Sequence, residues 1–332
     1  MTLKTKLAGT VAALAMTAGA QAAMAQDLTV AYFLEWPMPF QYAKVMGKYE
    51  EALGVDINWV SFDTGTAMSA AMASGDVQIS VSQGLPPFVV ATSAGQDLQV
   101  VDVAVSYSEN DNCFVAEALE IDKASVKELE GKKVGIPIGT AAHYGFLKQM
   151  SHFGVDITTM EIVDMAPPEG AAAFSQGSLD MVCGYGASVQ RMAEHGNVLL
   201  TGAEKEEVGI LVFDVTSVPA SFAAENEELL AKFLKVTADA NAAWNAGEDT
   251  EAYLTAMAED AGMELEATRE YVKGFSFPSV EDQLSSTWLG GNVQAFMLGV
   301  AQVFRDAGSI PSARDSYESA VNSAPLQAAS EM

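Results

Sequence analysis

Two acidic residues sit in apolar company: Glu35 in Leu34-Glu35-Trp36-Pro37 and Asp214 in Val212-Phe213-Asp214-Val215. A carboxylate taken out of water needs a partner, because an isolated buried charge is expensive. A ligand ammonium would serve both; otherwise Asp214 makes a structural hydrogen bond at a hinge and Glu35 is an exposed loop acid. The complementary chemistry, anion binding, is offered by two glycine-containing turns. Ser82-Gln83-Gly84-Leu85-Pro86 combines side-chain donors, a glycine that allows close backbone approach, and a proline suited to a first helical turn. Pro137-Ile138-Gly139-Thr140-Ala141-Ala142-His143-Tyr144 is the second such turn, with His143 among its candidate ligand contacts. Both can present free backbone N–H groups and the positive end of a helix dipole to an anion, although glycine and hydroxyl residues also occur in such turns for conformational reasons alone. The arginines, Arg191, Arg269, Arg305 and Arg314, lie outside these turns, so an anion would be met by helix ends and neutral donors rather than by a guanidinium clamp. Trp36, Tyr144 and Tyr185 could pack on a short ligand or face a cation, with core packing the alternative for Tyr144.

Other chemistries find less support. His143, His152 and His195 show no pairing with cysteines or carboxylates at ligand-like spacing, which argues against a metal site. Cys113 and Cys183 are the only thiol positions. An oxidising compartment permits them to pair, and two separate buried thiols on neighbouring strands are the alternative. A Cys183 nucleophile with His143 as base would require the two within hydrogen-bond reach, and no spacing supports that.

The compartment is indicated by the first residues. Lys4 and Lys6 precede an apolar stretch from Leu7 to about Ala18 that is too short to span a bilayer, and Ala23-Met24-Ala25 fits a signal-peptidase site before Gln26. Residues 1–25 are therefore expected to be an export signal, and the absence of a cysteine at the cut favours a free periplasmic protein over a lipid-anchored one. The formal charge of −27 becomes more negative on processing and makes nucleic acid and anionic lipid poor partners.

What must position the candidate residues is an α/β scaffold. Short apolar runs alternate with amphipathic stretches, the mark of βα units around a mainly parallel sheet. Expected strands are Leu28 to Phe33, Ile57 to Phe62, Val77 to Val81 and Leu98 to Val105, with helices after Pro39, Gly65 and Pro86. A second series has strands near Lys133 to Ile136, Glu161 to Asp164, Met181 to Gly184 and Val198 to Leu200, with helices after Thr140, Pro167 and Ala187. Ala70 to Ile79 and Ala172 to Met181 share a pattern of small-residue helix, glycine stop and strand, which supports two similar lobes or else two independent uses of a glycine cap. From Ser221 the pattern turns helical, notably Leu229 to Ala246, Thr250 to Ala261 and Gln283 to Asp306. These helices are expected to pack back on the first lobe. The first lobe is then 26–107 with 216–332, the second is 108–215, and two crossings form a hinge. In open α/β sheets the ligand crevice lies beyond the carboxyl ends of the strands, where both glycine turns fall.

The chain resembles the taurine-binding proteins of ABC importers, within a wider group that includes aliphatic-sulfonate, nitrate and thiamine-precursor binding proteins. The resemblance is close to full length and rests on Leu28 to Phe33, Ala71 to Ile79, Pro137 to Tyr144, Glu161 to Pro168 and Phe213-Asp214-Val215. It implies a two-lobed periplasmic clamshell of type II that holds taurine between its lobes and hands it to a membrane permease, as a monomer without a cofactor and not as an enzyme. Carried over residue by residue, Gln83, Gly84, Leu85, Thr140 and Ala141 would surround the sulfonate. Asp214 and Glu35 would hold the ammonium, and Tyr185 would line the wall. The sequence departs from the taurine pattern at Glu35-Trp36-Pro37, at Gln83-Gly84 and at Gly184-Tyr185-Gly186, so another small zwitterion or an alkylsulfonate is the alternative ligand.

Overall fold

A computed structural model describes residues 28–332, so the expected export signal lies outside the described residues. Two sheets organise the chain. The first contains β1 (Leu28–Phe33), β2 (Ile57–Phe62), β3 (Ile79–Gly84), β4 (Leu98–Tyr107), β10 (Val212–Pro219) and β11 (Phe275–Ser276) in the order β11-β4-β10-β3-β1-β2. The second contains β5 (Asp111–Ala116), β6 (Lys133–Ile136), β7 (Glu161–Asp164), β8 (Met181–Tyr185) and β9 (Gly196–Val198) in the order β7-β6-β8-β5-β9.

The same construction underlies both lobes. β2, β1 and β3 are mutually parallel neighbours, as are β7, β6 and β8. Next to the third strand of each set lies one that has just crossed from the other lobe: β10 runs antiparallel beside β3, and β5 antiparallel beside β8. Both sheets are accordingly mixed, where a mainly parallel arrangement was expected. The reason is topological. β1, β3, β6 and β8 run toward the interlobe cleft, whereas a strand arriving from the other lobe runs away from it and pairs antiparallel without a crossover helix. The second crossing strand begins at Val212, so the expected boundary at 215/216 falls inside β10 and Asp214 belongs to the first sheet.

The two glycine-stopped helices are equivalent elements. Gly65–Ser74 ends at Gly75 and leads to β3, and Pro167–Ser175 ends just before Gly177 and leads to β8, with both glycines at positive φ. The C-terminal helices Glu227–Asn245, Thr250–Ala261 and Ala324–Ser330 pack mainly on elements of the first sheet's lobe. The long helix expected over 283–306 is two helices, Val280–Leu284 and Asn292–Asp306, divided around Gly290-Gly291, where Gly291 adopts φ 150°. The second of these packs against Leu85–Ser93 of the first lobe and Ala141–Phe153 of the second. Cys113 and Cys183 face each other in the β5–β8 register and form a disulfide.

Candidate functional site

At the carboxyl ends of β1, β3 and β8, between the lobes, lies a narrow cavity lined by Phe33, Trp36, Gly84, Tyr107, Tyr185 and Asp214, with Gly65, Pro87, Thr140 and Ala141 completing the wall. Only about 20 Å³ of it is open to the centre of a water-sized sphere, far below the roughly 300–1,000 Å³ of pockets that take drug-sized ligands, so the lobes enclose little free space there.

Its acidic end is Asp214, 2% exposed and opposite Gly84 in the β10–β3 register. Ser82 donates to Oδ2 at 2.8 Å and Tyr107 to Oδ1 at 2.7 Å, while the Trp36 indole N–H donates to Ser82 Oγ at 3.0 Å. Burial pushes the Asp214 carboxyl up to about 7, against the stabilising bonds from Tyr107 and Ser82, and the nearby Asp111 charge adds to the rise. Ser82 reaches this position with φ 60°, a left-handed conformation that non-glycine residues adopt at a cost of about 1–3 kcal/mol. Aromatic rings enclose the same end: Trp36 lies 4.7 Å from Phe275, 4.9 Å from Tyr107, 6.0 Å from Tyr271 and 6.3 Å from Tyr185, centroid to centroid.

The opposite character comes from helix starts. Gly65, Gly84 and Thr140-Ala141, all at the cavity wall, open the helices Gly65–Ser74, Leu85–Ser93 and Ala141–Phe153. First-turn N–H groups have no intrahelical partner and are ready anion donors, except at Pro86 and Pro87 of the second helix, which have no N–H. Two of the starts touch: a Cβ at Gly65 would stand 2.6 Å from Pro87 Cγ, which only glycine avoids. A Cβ at Gly84 would approach Pro87 Cδ at 3.3 Å and Asp214 Oδ1 at 3.6 Å. No arginine, lysine or histidine is among the lining residues.

The structure brings together Trp36, Gly84, Thr140, Ala141, Tyr185 and Asp214, but not the other four expected contacts. Gln83 points away from the cavity: its Nε2 donates to Gly65 O and Ser69 Oγ and its Oε1 accepts from Ser217 Oγ, binding the helix start to β10. Leu85 is fully buried in the core. His143 accepts a bond from the Gly139 N–H and stacks on Phe304, and burial takes its pKa down to about 4. Glu35 forms a two-pronged ion pair with Arg191 of the other lobe, at 3.2 and 3.1 Å, while Arg191 also donates to Ser188 Oγ. With the Tyr185 hydroxyl donating to Asp63 O at 3.1 Å, this pair joins the lobes at the cavity's mouth. Phe33, Gly65, Pro87 and Tyr107, which carry no local signal of a site, also line the cavity, and Ser82 supports it. A polar Ser82-Gln83 near the end of β3 was the available signal; which of the two turned toward Asp214 was not.

A family model described as NMT1/THI5 like matches residues 37–246. The taurine-binding periplasmic protein of Escherichia coli K12 is 28% identical over 311 residues, covering 92% of this chain and 94% of that protein. Among solved structures, the periplasmic aliphatic sulphonate binding protein SsuA from Escherichia coli superposes with TM-score 0.69 at 21% identity, covering 87% of this chain and 95% of that one. The periplasmic nitrate-binding protein NrtA from Synechocystis PCC 6803 gives TM-score 0.70 at 13% identity, covering 92% and 89%. These likenesses show the periplasmic-binding-protein fold, and with a family match over more than half of its length the chain belongs to the NMT1/THI5-like family.

Proposed function

We propose that this protein is the solute-capturing component of an ABC importer in the periplasm and that it holds taurine between its lobes. The observation that carries the reading is the make-up of one small cavity: a buried carboxylate among aromatic rings, with helix starts and no cationic side chain in the rest of the wall. That arrangement suits a compact zwitterion whose anionic head is satisfied by neutral N–H donors and whose ammonium faces Asp214 and the rings. In this reading Gly84, Thr140 and Ala141 surround the sulfonate, Asp214 binds the ammonium, and Trp36 and Tyr185 form the wall. The relative in Escherichia coli supports taurine as the zwitterion, and the Cys113–Cys183 disulfide fits an exported compartment. The disulfide also occupies the thiol on which the enzyme alternative would depend. Delivery to a membrane permease belongs to the same proposal.

Mass spectrometry of ligand released from protein purified out of cells, followed by calorimetry, tests it. Taurine should bind, and ethanesulfonate, which lacks the amine, should bind about ten- to a hundred-fold more weakly, the worth of one charge-assisted hydrogen bond. Equal affinity for the two, or none for taurine, refutes the assignment.

A further inference from the structure

The repeat that places Asp214 opposite the last residue of β3 places a second acid in the corresponding position of the other lobe. Asp111, the first residue of crossing strand β5, stands opposite Tyr185, the last residue of β8. Tyr185 is part of the cavity wall, and side chains directly opposite in an antiparallel pair share a face of the sheet. That face packs on the helix Ala141–Phe153, whose first residue also lines the cavity; a Cβ at Gly145 of this helix would lie 3.8 Å from Asp111 Oδ1.

Asp111 is 3% exposed, and its Oδ2 accepts no hydrogen bond from the described residues. Buried carboxylates are ordinarily satisfied by donors, so such a vacant acceptor calls for a partner. The nearest cation does not supply one: Lys205, from the helix Gly202–Glu207, directs its ammonium at the carbonyl oxygens of Ser108 and Asp111. The other groups within electrostatic reach are Tyr107, Tyr185, Tyr271 and Asp214. Burial raises the Asp111 carboxyl to about 6, with Lys205 opposing.

We propose that Asp111 is the second acceptor for the ligand's cationic group, so that the site requires N–H donors on that cation and selects a primary amine over a quaternary one. The inference rests on the zwitterion reading above. A primary ammonium has three N–H groups and can serve Asp214 and Asp111 together; a trimethylammonium can face the aromatic rings but can donate to neither carboxylate.

The test is calorimetry of wild type, Asp111→Asn and Asp214→Asn against taurine, N,N,N-trimethyltaurine and ethanesulfonate, with the ligand-free melting temperature checked for each variant. Wild type should prefer taurine to its trimethyl analogue. Asp111→Asn should lose about tenfold in taurine affinity, one charge-assisted bond, with a narrowed preference over the trimethyl analogue and unchanged ethanesulfonate binding. Asp111→Glu, which keeps the charge, should retain most of the preference. Wild type that ignores taurine overturns this inference together with the proposed function. Wild type that binds taurine, a weakened Asp214→Asn and an unaffected Asp111→Asn overturn the inference alone. Should the Asp111 variants not fold, equal wild-type affinity for taurine and the trimethyl analogue overturns it.

Discussion

The two crossing strands occupy equivalent positions but are secured differently. β10 is held beside β3 by side-chain hydrogen bonds, Ser217 to Gln83 and Ser82 to Asp214. β5 is held beside β8 by a covalent bond between Cys113 and Cys183. Their acids differ in parallel: Asp214 receives two hydrogen bonds, while Asp111 has an oxygen that receives none from the described residues. One pattern of chain crossing has thus produced a satisfied carboxylate in one lobe and an unsatisfied one in the other. A buried polar network can hold a strand and a ligand group together, whereas a lobe stapled by a disulfide can leave its acid free of structural duty.

The largest expected effect follows from the staple. Replacing Cys113 and Cys183 with serine should lower unfolding stability by about 2–4 kcal/mol, as removal of a disulfide typically does, while taurine affinity changes little. Denaturant titration and calorimetry on the double variant check this; a loss of binding as large as the loss of stability would mean that β5 shapes the site directly.

The β10 side is expected to behave in the opposite way. Asp214→Asn should weaken taurine binding by about 1.5–3 kcal/mol without destabilising the ligand-free protein. The pH dependence supplies the sign. With its carboxyl raised from an ordinary 3.8 to about 7, Asp214 favours the ligand-free fold fully below 3.8, and that contribution is lost as pH rises through about 7. Binding runs the other way, because an ammonium selects the ionised carboxylate: taurine affinity should fall by up to about tenfold per pH unit below 7. Calorimetry from pH 5 to 8 should show that slope in wild type; in Asp214→Asn the part between about pH 6 and 7 should be gone, leaving the fall below about 6 that Asp111 gives. A flat wild-type profile would show that Asp214 is already ionised, or does not meet the cation.

The smallest effect belongs to the contact that joins the two lobes at the mouth. Glu35 and Arg191 are 32% and 44% exposed at the side chain, and pairs of that kind contribute about 0–1 kcal/mol and weaken with salt. Arg191→Gln should speed taurine release by no more than about fivefold at low ionic strength, with the difference vanishing in high salt. Stopped-flow dissociation would measure it; a larger, salt-independent change would indicate that Arg191 supports the cavity itself.

Much of the scaffold was legible because local signals agreed. β1, β2, β6 and β7 have the bounds that apolar runs and flanking turns predict, and the helices beginning after Gly65, Thr140 and Pro167 follow from turn chemistry. β5 and β10 were not recognised as strands: each is a crossing segment with a polar acid near its start, Asp111 or Asp214, and its partners lie far away in sequence. The site was legible in part for the same reason. Asp214, Gly84, Thr140 and Ala141 stand where βα turns and an acid in apolar company point, whereas Gln83 and Ser82 are adjacent in one strand and face opposite ways. Nothing local says which turns toward Asp214, because register sets the alternation. Sequence by itself therefore determined the two βα series, the glycine-stopped repeat, the turns that start helices at the cleft, and a need for a partner at Asp214. Only tertiary structure decided that Asp214 meets Ser82 and Tyr107, that Glu35 meets Arg191 across the cleft, and that Asp111 lies beside Tyr185 with an oxygen unpartnered among the described residues. Hydrogen bonds and desolvation depend on which atoms end up within about 3 Å of one another, and for residues a hundred positions apart that distance is set by strand pairing across the whole fold.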